Sequence, residues 1–272
     1  HEDNLEMDVK ARIFTADGNP TGPEFQVGSW AVDGFDGYDT PAITVRELAG
    51  GNIVVGYVRN TAEIDNDEPV FTVLDSNGGV VRADVEMQQN DTTTFESPPV
   101  ITALEDGRFM AVWVKNGNLD DTTSMFIQGR IFNADGTAAT NEFRVGGSAA
   151  DGSDFYDTDN FVIESLGNGR VVIGYVETNA TGGTDYPNFS IIDTTKSPGD
   201  AGFTVKADIQ INQTAEHPWI GPPVIEALGE SGNFVAVWVN GQSHTNALMY
   251  RVFDSNGNPL SPEVELTDAS GH

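Results

Sequence analysis

Two strand–turn–strand signatures alternate along this chain, and a repeat of that kind decides the fold before any local propensity does. The first signature reads Ala11-Arg-Ile-Phe-Thr-Ala-Asp-Gly18, followed by Glu24-Phe-Gln-Val27. It returns as Phe71-Thr-Val-Leu-Asp-Ser-Asn-Gly78 and as Gly129-Arg-Ile-Phe-Asn-Ala-Asp-Gly136 with Glu142-Phe-Arg-Val145. A degenerate copy spans Ser190 to Asp208 with Pro198-Gly199 at its turn, and a last one reads Tyr250-Arg-Val-Phe-Asp-Ser-Asn-Gly257. Asp-Gly and Asn-Gly supply the positive φ angles of tight hairpins.

The second signature is Pro41-Ala-Ile-Thr-Val-Arg-Glu-Leu48, a Gly turn, then Asn52-Ile-Val-Val-Gly-Tyr-Val58. Later copies pair Pro99–Leu104 with Arg108–Val114, Phe161–Leu166 with Arg170–Val176, and Pro223–Leu228 with Asn233–Val239. β-Branched runs bounded by Gly and Pro read as strands, and no stretch holds a 3.6-residue period long enough for a substantial helix. The turn glycines Gly18, Gly78, Gly136, Gly199 and Gly257 recur about every 60 residues, and Tyr57, Trp113, Tyr175 and Trp238 alternate in kind, so a larger unit of about 120 residues is itself duplicated.

Four short antiparallel strands cannot hide both faces of their sheet. Stacking such sheets side by side does so, and the sequence predicts an all-β, β-propeller-like array of four-stranded antiparallel blades, about four and a half in number. A linear β repeat, or two sandwiches split near residue 120, is the alternative. Units are expected at 8–58, 70–114, 126–176 and 188–239, with a half unit at 247–267, all in one repetitive domain. Second-signature strands, being more apolar, are expected innermost, and first-signature hairpins outside. Either the chain is cut from a longer protein, or the odd hairpin at residues 8–28 pairs with 247–267 or with another chain, which makes a homo-oligomer one possible outcome.

Charge narrows the partners. Forty-two acidic residues face 13 basic ones, a net of −29, so nucleic acid and anionic lipid are repelled. No apolar run is long enough to insert into a membrane. Cys is absent, which removes disulfides, zinc–thiolate sites and thiol catalysis. Sequons at Asn90, Asn179, Asn188 and Asn212 are no more than a Thr-rich chain produces by chance.

Phe132-Asn-Ala-Asp-Gly136, Glu142-Phe-Arg-Val145 and Pro99-Val-Ile-Thr-Ala-Leu-Glu-Asp-Gly-Arg-Phe-Met-Ala-Val-Trp113 together resemble repeats of large secreted bacterial proteins of the RTX and type I secretion kind. The resemblance covers nearly the whole chain. It implies export, an extracellular or cell-surface location, and calcium as a common family ligand. The Gly-Gly-x-Gly-x-Asp nonapeptide of such proteins is absent, so the likeness lies in the strand-and-turn pattern.

Tight turns collect at one end of each predicted blade and loops of about 10 residues at the other, and long loops on a rigid frame are where binding resides. Two of these loops match: Asp33-Gly-Phe-Asp-Gly-Tyr-Asp-Thr40 and Asp151-Gly-Ser-Asp-Phe-Tyr-Asp-Thr158. Each spaces three carboxylates three apart, and Asp33, Asp36, Asp39, Asp151, Asp154 and Asp157 are the candidate calcium ligands. The plainer reading is a solvated acidic loop or turn-forming Asp side chains. Trp30, Tyr38, Tyr156 and Trp219 fall in long loops expected on the same face and suit stacking on a sugar, or else cap the core. Glu47, Glu164 and Glu226, on predicted inner strands, are weaker candidates for a glycosidase carboxylate pair. His217 and His244, in long loops, and the terminal His1 are minor metal candidates. The residues thus favour a calcium-assisted binding or adhesion module whose partner is a glycan or a cell-surface protein. A carbohydrate-active enzyme and a structural spacer are the alternatives.

The calcium expectation has a direct check. With a dissociation constant near 10 μM, 1 mM calcium adds roughly 2.7 kcal/mol of stability. A melting curve recorded in chelator and then in calcium should shift upward, and Asp36→Asn with Asp154→Asn should erase the shift.

Overall fold

The computed structural model describes residues 8–28, 43–60, 67–89, 97–116, 125–148, 161–178, 185–213, 219–220, 223–242 and 245–266. Apart from a three-residue 3-10 turn at Gly229–Ser231, the regular structure of these residues is all strand. β1 (Lys10–Ala11) and β2 (Phe25–Gln26) form a two-stranded ribbon of their own. β3 (Thr44–Glu47), β4 (Ile53–Asn60), β5 (Asp67–Leu74) and β6 (Val80–Glu86) form an antiparallel sheet in chain order. β7 (Val100–Ala103), β8 (Phe109–Asn116), β9 (Met125–Phe132) and β10 (Phe143–Ser148) repeat that order, as do β11 (Phe161–Gly167), β12 (Arg170–Thr178), β13 (Asp185–Asp193) and β14 (Thr204–Gln210). In the last sheet β15 (Trp219–Ile220) and β16 (Val224–Leu228) share one edge of β17 (Asn233–Gln242), followed by β18 (Thr245–Phe253) and β19 (Val264–Leu266).

Each sheet therefore opens on a second-signature hairpin and closes on a first-signature one, the opposite phase to the unit boundaries expected from sequence. The stretch 247–267 is not a half unit: it completes the sheet begun at β15. The odd piece is the β1–β2 ribbon, which does not join that sheet. Burial follows strand position within each sheet. β5 and β13, the leading strands of first-signature hairpins, carry Val70, Phe71, Val73, Phe189, Ile191 and Ile192 at zero exposure, while β3 and β6 at the edges stay largely open. A middle strand is paired on both edges and covered on both faces, so position within the sheet outweighs which signature a strand belongs to.

The chain divides into two compact units: His1–Leu119 with Gly129–Glu142, and Asp120–Gln128 with Phe143–His272. Their interiors repeat one another. In the first, Phe71 meets Phe109 and Phe132 edge-on at centroid distances of 5.1 and 4.8 Å, and Phe109 stacks on Phe132 at 5.3 Å. In the second, Phe189 meets Phe234 and Phe253 edge-on at 5.2 and 5.0 Å, and Phe234 stacks on Phe253 at 5.3 Å. Each trio takes one ring from one sheet and two from the next, so it is the joint between consecutive sheets.

A turn glycine and an arginine complete each joint. Gly136 sits at φ +79 beside Phe71, Val73 and Arg82, and Gly257 at φ +76 beside Phe189, Ile191 and Lys206. Both need the left-handed backbone, and a Cβ at either would press on those neighbours within about 3 Å. Arg130 donates from Nη1 to the Met87 carbonyl at 3.0 Å, and Arg251 to the Ile211 carbonyl at 3.1 Å, each closing on the sheet before its own. A reciprocal pair repeats as well: the Gln89 and Glu142 side chains each accept the other's backbone N–H, and so do those of Gln213 and Glu263.

Truncation of a buried ring should expose this joint. Phe132→Ala and Phe253→Ala should each cost about 3–5 kcal/mol. Phe14→Ala, at the matching but exposed position of the β1–β2 ribbon, should fall within about 0.5 kcal/mol of the parent. Urea denaturation followed by far-ultraviolet circular dichroism measures all three.

Candidate functional site

Within each sheet the antiparallel connections put the tight turns at one end and the β4–β5 or β12–β13 type of connection at the other. Carboxylates at the tight-turn end have local work. Asp75 Oδ1 accepts the N–H groups of Asn77 and Gly79, both at 2.8 Å, and Asp254 Oδ1 accepts those of Asn256 and Asn258 at 2.9 and 2.8 Å. The Thr137 hydroxyl beside Asp135 and the Arg108 guanidinium beside Asp106 hold those two carboxyls below the usual range. Side chains engaged in turns are poor candidates for chemistry.

The opposite end is built differently. Tyr57 on β4 is fully buried; its hydroxyl donates to Asp84 Oδ1 at 2.5 Å and lies 3.1 Å from Thr72 Oγ1. Asp84 reaches it because β6 is irregular here: the β5–β6 register shifts between Phe71 and Val73, and Asp84 takes φ 47. Its own N–H donates to Thr72 Oγ1 at 3.2 Å. The second unit repeats every part. Tyr175 donates to Asp208 Oδ1 at 2.6 Å and lies 2.9 Å from Ser190 Oγ, and Asp208 has φ 52 with its N–H 3.2 Å from Ser190 Oγ. Gly28 and Gly146 cover the two hydroxyls, where a Cβ would collide with them. Burial first, then the adjacent carboxylate, pushes both tyrosine hydroxyls far above the usual phenol range. They are neutral donors, not nucleophiles.

Trp113 and Trp238 take the tyrosine position in the alternate sheets, and Arg130 and Arg251 take the Thr72 and Ser190 position. Both indoles are buried and leave Nε1 without a hydrogen-bond partner. The sequence reading of Tyr57, Trp113, Tyr175 and Trp238 as core residues agrees with their burial.

Two residues beyond each tyrosine the units diverge. In the first, Arg59 lies between two carboxylates: its Nε donates to Glu68 Oε2 at 3.0 Å, and its Nη2 to the same oxygen and to Glu86 Oε1, the latter at 2.5 Å. In the second, Glu177 replaces the arginine. It accepts a hydrogen bond from Asn188 Nδ2, and burial, reinforced by the charge of Asp208, raises its carboxyl above the ordinary 4.5. The Asn188 Oδ1 is itself buried and unpartnered. Glu177, Asn188, Tyr175 and Asp208 thus form a polar cluster at the long-loop end of the second unit. Two carboxyl groups in different surroundings, one of them pushed toward its protonated form, is the arrangement that acid–base chemistry uses.

Sequence reasoning missed Glu177 and Asp208. The signal was a broken repeat, since Glu177 stands where Arg59 stands one duplication earlier. Asp33, Asp36, Asp39, Asp151, Asp154, Asp157, Trp30, Tyr38 and Tyr156 lie outside the described residues, as do His1, His217 and His244. Trp219 is on β15, its backbone opposite Gly241. Among the described residues no three His, Asp or Glu side chains form a metal-binding group. Glu164 and Glu226 sit on β11 and β16, neighbouring edge strands of the second unit, while Glu47 is on β3 of the first unit. The sequons at Asn188 and Asn212 are buried, which suits their reading as chance matches.

No family model matches the chain, and no curated protein matches it. Solved structures do. An α-L-arabinanase of Penicillium chrysogenum complexed with arabinobiose aligns over 86% of this chain and 68% of its own, with a TM-score of 0.56 and 14% identity. The α-L-arabinofuranosidase Arb93A of Fusarium graminearum, in complex with an iminosugar inhibitor, covers 85% of this chain and 67% of its own, with a TM-score of 0.53 and 10% identity. A PL25 ulvan lyase bound to -[GlcA(1-4)Rha3S]- covers 92% of this chain and 59% of its own, with a TM-score of 0.50 and 10% identity. At such identities the likeness speaks for fold alone: the chain is a β-propeller-like array of four-stranded antiparallel blades.

Two pH-dependent outcomes follow from these surroundings. A raised phenol in the folded state means that its contribution is intact below the unfolded value of 10.0 and is lost as pH rises above it. Two tyrosines should therefore resist ionisation, followed by absorbance near 295 nm, until the protein unfolds. Glu177 has the same sign: its contribution is present below 4.5 and lost as pH rises through its raised value. Glu177→Gln should then raise the melting temperature at pH 7 and leave it unchanged near pH 4.

Proposed function

We propose that this chain is a carbohydrate-active protein that cleaves glycosidic bonds in a neutral polysaccharide, with Glu177 as the proton-donating carboxyl. The observation behind this reading is the environment of Glu177. A half-buried carboxyl raised by desolvation, close enough to Asp208 to feel its charge, is suited to protonating a leaving oxygen. The fold relatives add weight, since those described by name bind or act on arabinose-containing or uronate-containing sugars. They favour an enzyme over the calcium-assisted adhesion module expected from the sequence.

Charge selects the substrate class. A net of −29 repels sulfated or uronate-rich chains and leaves neutral sugars unaffected. The aromatic residues Trp30, Tyr38, Tyr156 and Trp219 supply stacking surfaces for such a chain in this proposal.

Release of reducing ends from arabinan, compared with ulvan, tests the reading. Arabinan should be cut, ulvan should not, and Glu177→Gln should lower kcat by at least about a hundredfold while the protein melts no lower. If neither polymer is cut, the catalytic reading fails. Retention on arabinan without cleavage would leave a glycan-binding module instead.

A further inference from the structure

Glu177 and its neighbours differ from their twins in the first unit at four positions, and the strand registers match these one to one. β4 sets Arg59 opposite Glu68 and Tyr57 opposite Val70; β12 sets Glu177 opposite Tyr186 and Tyr175 opposite Asn188. One strand further, Val70 faces Glu86 and Asn188 faces Gln210. Three of the four exchanges follow from charge. Arg59 is paired with both Glu68 and Glu86. A carboxylate in the place of Arg59 would be repelled by two glutamates, and the neutral Tyr186 and Gln210 stand where they stood.

The fourth exchange does not follow from charge. Val70 is at zero exposure in an apolar cluster with Tyr57 and Leu74, so a valine fills this slot in the first unit. Asn188 is 3% exposed and puts an amide there. A buried amide is costly unless both of its ends are bonded. Only one end is: Nδ2 donates to Glu177 Oε2, and Oδ1 has no hydrogen-bond partner among the described residues. Packing does not call for the asparagine, and its single side-chain bond goes to Glu177.

That bond has a chemical consequence. A carboxylic acid has one hydroxyl oxygen and one carbonyl oxygen, and an N–H donates to the carbonyl one. With Oε2 engaged by Asn188, the acidic proton belongs on Oε1. We infer that Asn188 is a positioning residue, whose Nδ2 holds the Glu177 side chain and confines the transferable proton to Oε1. The inference rests on the reading of Glu177 as the proton donor. As the glycosidic C–O bond breaks, its electron pair stays with the leaving oxygen, which takes the proton from Oε1. Water supplies the hydroxyl gained by the sugar carbon, and its remaining proton returns to Glu177 through solvent. In the carboxylate stage the Asn188 N–H, already on Oε2, steadies the new charge.

Other groups around Glu177 act differently. Asp208 on β14 raises its carboxyl by charge, whereas the Asn188 N–H lowers it. Tyr175 on β12 is held by Asp208 and Ser190, and Tyr186 lies opposite on β13. β10, which packs against β12, brings Arg144, whose Nε donates to the Gly146 carbonyl at 2.6 Å.

The twin unit supplies the variant. Asn188→Val installs the residue that fills this slot in the first unit and should melt no lower than the parent. Carbon-13 spectra of glutamate-labelled protein, with the Glu177 signal identified by its loss in Glu177→Gln, follow the carboxyl directly. In Asn188→Val it should titrate at higher pH than in the parent, because an N–H that favours the charged form is gone. Asn188→Asp, of the same shape but without the N–H, should move it in the same direction. On arabinan, Asn188→Val should lower kcat about tenfold or more at little change in KM, and the basic limb of its pH profile should move upward with the carboxyl. A Glu177 signal that titrates alike in the parent and both variants overturns the proposal. So does a loss of kcat with an unmoved basic limb, which is what a merely structural asparagine would give. If the parent does not cut arabinan, the functional reading above fails, and the carbon-13 titration alone decides whether Asn188 holds Glu177.

Discussion

Each four-stranded sheet in this protein has two apolar faces and can cover neither alone, so the fold rests on the joint between one sheet and the next. The joint is the same in both units: three phenylalanine rings, a turn glycine with no Cβ to intrude, and an arginine that reaches a backbone carbonyl of the preceding sheet. The rings supply buried apolar area, and the arginine satisfies a carbonyl that would otherwise be left at a sheet end.

Two sorts of sheet alternate. One has a tyrosine held by a hydroxyl residue and an aspartate at positive φ; the other has a tryptophan and an arginine. The tyrosine arrangement holds an aspartate at positive φ against a buried hydroxyl, and it does so twice with matching geometry. That duplication marks Tyr57–Asp84 as part of the frame. Chemistry should be sought where the duplication fails, and at Glu177 it fails. Arg59 is neutralised between two glutamates, while Glu177 is a carboxyl near another carboxyl. The same frame therefore carries an ion pair in one unit and a proton-binding group in the other.

The fold was legible in the sequence because its signals are local and repeated. Hairpin turns such as Ala134-Asp135-Gly136 declare themselves, and β-branched runs between them can only be strands. The phase of the sheets was not legible. Any second-signature hairpin can be grouped with the first-signature hairpin before it or after it, and both groupings have the same sequence. Burial needed the structure in the same manner, since Val70 and Phe71 are no more apolar than several edge residues but lie on a strand paired on both sides. Aspartates at the tight turns could be counted but not assigned until Asp75 and Asp254 were seen accepting turn N–H groups.

By itself the sequence determined that the chain is all-β, that it repeats about every 60 residues with a longer period of two, and that anionic partners are disfavoured. Those properties follow from residue type and spacing, which need no knowledge of what is close to what. Only tertiary structure decided which hairpins share a sheet and which carboxyl binds its proton more tightly. Each of these depends on contacts between residues far apart in the chain: Glu177 owes its raised carboxyl to burial and to Asp208 on another strand, and neither can be read from its sequence neighbours.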